Sequence, residues 1–142
     1  MQITSITGNI WVEISGLNLK QPISSDLWST LRDALNRYLV LVLRDQHLDV
    51  SGHKRLSQVF GKPMINPYAP GPDANPEMTY VIKEAGERSG VFGGGWHTDL
   101  SFFEQPPSGS VLCALEVPPH GGDTLFCSQQ AAWDSLAQPL CN

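Results

Sequence analysis

Several things are scarce in this sequence, and each scarcity excludes a class of protein. No apolar run approaches the ~20 residues that cross a bilayer; Leu39 to Leu43 is only strand-sized. Basic residues are few, nine Lys and Arg against fourteen Asp and Glu, and the net charge is -5. They form no stripe, so a nucleic-acid surface is not expected. Cysteine is limited to Cys113, Cys127 and Cys141. An odd set without metal-type pair spacing argues against a disulfide framework or a thiolate zinc site. Cys113 and Cys127 lie in apolar runs and read as small buried hydrophobes. The first residues lack the basic and apolar stretches of a secretion signal. A cytoplasmic protein with no membrane contact is the expectation.

What is present fits a globular chain. Hydrophobic residues make up 41% of the 142 and charged residues 16%, enough for one ordinary domain. Residues 1–14 alternate polar and apolar around Gly8-Asn9, the pattern of a β-hairpin. Ser24-Ser25-Asp26 offers helix caps, and Leu27, Trp28, Leu31, Leu35 and Tyr38 follow at helical spacing, predicting a helix over 25–37. Residues 39–43 predict a buried strand. Ser51 is a candidate cap for a second helix over 51–59, with Leu56, Val59 and Phe60 inward.

Glycine and proline, 13 and 11 in all, cluster after residue 60. Residues 61–76 read as loop, and 84–95, ending in Gly93-Gly94-Gly95, as a mobile loop. Strands are expected at 78–83, 96–103, 108–117 and 123–127, and a helix start at 128–136. Nothing marks an internal repeat or linker, so residues 1–142 are expected to be a single domain.

The stretch with chemical content is Trp96-His97-Thr98-Asp99-Leu100-Ser101-Phe102. On a strand, side chains at i and i+2 share a face. His97 and Asp99 would project together, and an imidazole beside a carboxylate supplies two corners of a 2-His-1-carboxylate metal site with open positions left over. The plain alternative is a His–Asp hydrogen bond on a sheet surface. Context favours the metal: a glycine run precedes the pair, Pro106-Pro107 follows, and a further apolar run leads to Gly121-Gly122-Asp123-Thr124-Leu125-Phe126.

Those three segments, in that order, resemble the taurine / 2,4-dichlorophenoxyacetate dioxygenase family. Earlier segments agree with it: Glu13-Ile14-Ser15-Gly16-Leu17-Asn18-Leu19, Val40-Leu41-Val42-Leu43-Arg44-Asp45-Gln46 and Phe60-Gly61-Lys62-Pro63. The resemblance covers nearly the whole chain but only the N-terminal half of a family member. It implies an α+β fold: a partial double-stranded β-helix, jelly-roll or cupin-like, with an N-terminal hairpin, flanking helices and its C-terminal half missing.

The resemblance also implies chemistry. His97 and Asp99 match two iron ligands, and Thr124 matches the threonine that binds a carboxylate of 2-oxoglutarate. A hydroxyl donor suits that anion. Fe(II), 2-oxoglutarate and O2 are the implied cofactor and cosubstrates. The implied reaction hydroxylates a small organic acid, a sulfonate, alkyl sulfate or aryloxyacetate, with succinate and CO2 as coproducts. The family's second iron histidine and cosubstrate arginine lie downstream of the last residue here, and His47, His53 and His120 do not obviously substitute, so the isolated chain is expected to be inactive. Full-length relatives are expected to be homo-oligomers. Tyr68 matches a substrate-binding tyrosine of the taurine-specific members, whereas Asn66 stands where they have histidine and glycine where they have asparagine. Two rival readings are a non-catalytic fragment or pseudoenzyme serving as a binding module, and a cupin-like metal-binding protein.

Overall fold

The structure is a computed structural model and describes residues 1–8, 10–88, 90 and 92–138. Asn9, Cys141 and part of the 84–95 loop lie outside those residues. Strands β1 (Gln2–Ser5) and β2 (Val12–Ser15) pair antiparallel, Gln2 opposite Ser15 and Ser5 opposite Val12. This is the expected hairpin. Helix α1 (Ser25–Tyr38) then carries the chain back to β3 (Leu41–Val42), which pairs parallel with β2. A parallel neighbour requires such a crossover. The result is a three-stranded mixed sheet ordered β1-β2-β3.

Period-two alternation sets the core. Val12 and Ile14 point inward from β2 and are buried, with Glu13 between them. Leu31 and Ala34 of α1, Leu19, and Leu56 and Val59 of helix α2 (Val50–Phe60) complete it. Both long helices begin on a side-chain cap. Ser24 accepts the Leu27 N–H, with Asp26 in the first turn of α1 and Arg37 in its last, where each sign suits the helix dipole. For α2 the structure corrects the expected Ser51: the cap is Asp49, whose Oδ1 accepts the Gly52 N–H at 2.7 Å and the Ser51 hydroxyl at 3.0 Å. Those two donors hold the Asp49 carboxyl below its usual range. Helix α3 (Gln129–Asp134) begins at Ser128. The buried strand expected over 39–43 shortens to two half-buried residues, because Leu39 (φ 63°) is spent capping α1.

One side chain locks the entry loop. Gln46 Oε1 accepts the Leu19 N–H at 2.9 Å, and Nε2 donates to the carbonyls of Arg44 (2.7 Å) and Leu17 (3.4 Å). Gln46→Ala leaves the Leu19 N–H without that partner, and is expected to cost about 1–3 kcal/mol, read as a lower denaturation midpoint.

The four strands expected between 78 and 127 do not form. Among the described residues from 61 to 128 there is no helix or strand. A strand exists only through the ladder it makes with a neighbour, and these segments have no neighbour to pair with. Their apolar side chains stand exposed: Val81, Ile82, Trp96, Phe102, Leu112, Leu115, Val117 and Leu125 among them. Cys127 is exposed and Cys113 half-buried, so the buried-hydrophobe reading fails for the first and holds only in part for the second.

Tethers from α2 hold this second half of the chain in place. His53 Nε2 donates to the Val111 carbonyl at 2.8 Å, the Ser108 hydroxyl donates to the Phe60 carbonyl at 3.1 Å, and Lys54 pairs with Glu77 at 2.6 Å. Hydrogen bonding to Lys54 holds the Glu77 carboxyl below its usual range.

Candidate metal centre

His97 and Asp99 meet although no strand supports them. His97 Nε2 lies 3.3 Å from Asp99 Oδ1. The chain turns directly after the pair: Leu100 adopts φ 51°, the Phe103 N–H returns to the Leu100 carbonyl at 3.1 Å, and the Thr98 and Ser101 hydroxyls bond across the turn at 2.6 Å. A left-handed φ at leucine is strained and needs such support. The preceding glycines also have a reason. Gly93 sits at φ 71°, and a Cβ there would come 3.2 Å from His97 Cε1. Glycine permits both the backbone angle and the close approach of the ring.

The remaining hydrogen bonds decide what the pair can do. His97 Nδ1 lies 2.8 Å from the Gly95 carbonyl, which can only accept, so Nδ1 carries the proton. In the neutral ring the Nε2 lone pair then faces the Asp99 carboxylate, an unfavourable meeting of two acceptors. Either a proton or a metal cation between them relieves it. Two donors bound at right angles to a divalent ion, each about 2.1 Å away, lie about 3 Å apart, close to the 3.3 Å seen here. Ser110 Oγ donates to the other carboxylate oxygen, Oδ2, at 3.3 Å. The two side chains are 52% and 62% exposed, so open coordination positions are accessible. The pair thus fits a divalent metal as a partial donor set. Among the described residues no group of three or more His, Cys, Asp and Glu could hold one.

The other expected site residues are placed unequally. Asn66 Oδ1 accepts the Tyr68 N–H at 2.9 Å, so the asparagine shapes its own turn. Tyr68 is 71% exposed, and its ring lies 6.1 Å from Phe102 and 6.4 Å from Phe103, which brings it to the segment that follows Asp99. Thr124 is exposed and follows Gly121 and Gly122, at φ 78° and 77°, the backbone angles expected of those glycines. Among the described residues no hydrogen bond joins Thr124 to His97 or Asp99. Its neighbour Phe126 packs edge-on against Trp11 at 5.6 Å instead. His53 is engaged with Val111, and His47 lies beside Lys20, Asp49 and Arg55. Sequence reasoning missed the contact of Ser110 with Asp99. Its only trace in the sequence is a serine at the head of the apolar run Val111-Leu112-Cys113.

Comparison with known proteins places the chain among its relatives. An alkylsulfatase of Acinetobacter baylyi is 33% identical over 141 residues, 99% of this chain and 43% of the relative. An alpha-ketoglutarate-dependent sulfonate dioxygenase of Saccharomyces cerevisiae is 34% identical over 154 residues, 99% of this chain and 36% of the relative. The crystal structure of a taurine dioxygenase from Burkholderia xenovorans superposes with a TM-score of 0.78 at 26% identity, covering 99% of this chain and 49% of that one. The chain thus spans half or less of the length of these relatives. The sequence model described as "Taurine catabolism dioxygenase TauD, TfdA family" matches residues 2–140, and the chain belongs to that family.

Proposed function

We propose that this chain is the N-terminal part of an Fe(II)- and 2-oxoglutarate-dependent dioxygenase that hydroxylates a small organic acid of the sulfonate, alkyl sulfate or aryloxyacetate type. The observation that carries the reading is the pairing of His97 Nε2 with Asp99 Oδ1 at 3.3 Å, with Nδ1 already committed to the Gly95 carbonyl. In this reading the two side chains hold Fe(II), and Thr124 donates its hydroxyl to a carboxylate of 2-oxoglutarate. Bound iron supplies the O2 chemistry: one oxygen atom goes to a substrate C–H bond, and the other to 2-oxoglutarate as it decarboxylates to succinate and CO2. The protein's own residues orient and shield. Tyr68 and Asn66 are assigned to the substrate in this reading, and Asn66 in place of histidine favours an acid other than taurine.

The ladder-less segments 78–83, 96–103, 108–117 and 123–127 are the strands this chain contributes to a double-stranded β-helix when partner strands are present. Residues 1–142 are then one partial domain, and the isolated chain lacks turnover because a third metal ligand and a cosubstrate cation come from elsewhere.

The test is anaerobic Fe(II) binding to the 142-residue chain, with and without 2-oxoglutarate, followed by visible charge-transfer absorption. The expected result is weak Fe(II) binding, no band for the chain alone and no succinate on admitting O2. In a complete protein carrying these segments the band forms, and Thr124→Ala raises the 2-oxoglutarate concentration needed for it about tenfold, the loss of a charge-assisted hydrogen bond. A band with unchanged 2-oxoglutarate dependence in Thr124→Ala removes Thr124 from the site. A complete protein that binds Fe(II) without responding to 2-oxoglutarate defeats the dioxygenase reading.

A further inference from the structure

A carboxylate can turn about its terminal bond, so a metal ligand needs something to stop it. We propose that Ser110 is the positioning residue for Asp99, holding Oδ2 so that Oδ1 stays turned toward the His97 imidazole. The inference rests on the metal reading above. It starts from the hydrogen bond of 3.3 Å from Ser110 Oγ to Asp99 Oδ2, on the opposite oxygen from the one 3.3 Å from His97 Nε2. The two oxygens of Asp99 thus have different partners. Hydrogen bonds of this kind, made to a ligand rather than to the metal, orient the ligand and raise affinity.

A positioning group must itself be fixed, and Ser110 is. Val111, next along the chain, is half-buried against the core, Cys113 is half-buried, and Ser110 and Leu112 are exposed. Ser110 is thus turned away from the core, and its hydroxyl reaches Asp99. The backbone is pinned on both sides of Ser110: the Ser108 hydroxyl donates to the Phe60 carbonyl at 3.1 Å, and the Val111 carbonyl accepts from His53 Nε2 at 2.8 Å. Both anchors belong to α2, whose Leu56 and Val59 are buried. The helix places the serine, and the serine places the carboxylate.

Isosteric substitutions separate the hydroxyl from the bulk. Ser110→Thr keeps the donor, and Ser110→Val matches threonine in shape without it. Mn(II) is titrated into the full 142-residue chain and read by paramagnetic broadening of the His97 imidazole proton signals, which are assigned by their loss in His97→Ala. Far-UV circular dichroism establishes that each variant is folded, and Ser110→Ala replaces Ser110→Val if valine is not accommodated. Ser110→Thr is expected within about twofold of the parent, and Ser110→Val to need about tenfold more Mn(II). Parental affinity in Ser110→Val, or equal losses in both variants, overturns the positioning role and leaves the metal site intact. Absence of Mn(II) broadening in the parent, or broadening that survives Asp99→Asn, overturns the metal reading itself and the role of Ser110 with it.

Discussion

Replacing His97 with alanine is expected to abolish metal-dependent chemistry. In a complete protein carrying these segments, the Fe(II)–2-oxoglutarate absorption band disappears and succinate formation falls to the metal-free background. The expectation follows from the arrangement of donors. Nδ1 donates to the Gly95 carbonyl, so Nε2 is the ring nitrogen left to bind, and it lies 3.3 Å from Asp99. Removing the ring takes away one donor of the proposed set and leaves Asp99, an exposed carboxylate that water solvates well, as this chain's one remaining member of the pair. Asp99→Asn is expected to act alike, since an amide brings neither the charge nor an equivalent donor. His120→Ala is the control: that residue is exposed, and the variant should keep the band. Parental turnover in His97→Ala would sink the assignment.

Leu31→Ala is expected to be the most damaging single change to the fold. Leu31 is 0% exposed, and the buried core among the described residues is only seven side chains: Val12, Ile14, Leu19, Leu31, Ala34, Leu56 and Val59. Truncating a buried leucine costs about 2–5 kcal/mol through lost apolar contact and the cavity left behind. Small domains are stable by only about 5–15 kcal/mol, so the loss is a large share of what holds α1 on the sheet. Chemical denaturation of the chain should show a sharply lower midpoint. Leu112→Ala removes the same atoms from a residue 74% exposed and should change stability by less than about 0.5 kcal/mol. Equal effects at the two positions would mean that the core is not where the structure puts it.

The N-terminal part of the fold was legible because its signals are local. The alternation through β2, the helical spacing from Leu27 to Tyr38 and the cap at Ser24 each act within a few residues, and the elements appear where they were expected. The cap of α2 was misread because Ser51 and Asp49 are both good caps, and only the geometry shows Asp49 receiving the Gly52 N–H. The second half failed for another reason. Segments such as 108–117 have strand composition, but a ladder depends on a neighbour that local sequence does not supply. Of the candidate site, the proximity of His97 and Asp99 was legible. His97 and Asp99 do meet, but beside a turn at Leu100 rather than on the strand from which the i, i+2 spacing was read. Ser110 was invisible because its value comes from a contact eleven residues away, set by which face Val111 buries.

The tethers from α2 have a thermodynamic meaning as well as a geometric one. Anything that binds the folded site but not the unfolded chain adds its binding free energy to stability, about 2.7 kcal/mol when the ligand is at a hundred times its dissociation constant. The links from His53 to Val111 and from Ser108 to Phe60 join the site to the helix that carries Leu56 and Val59. The coupling is reciprocal. In the proposed reading, a cation held by His97 and Asp99 would tighten the packing of α2, and a loosened α2 would weaken the hold on the cation, so that core and candidate site would form one linked equilibrium.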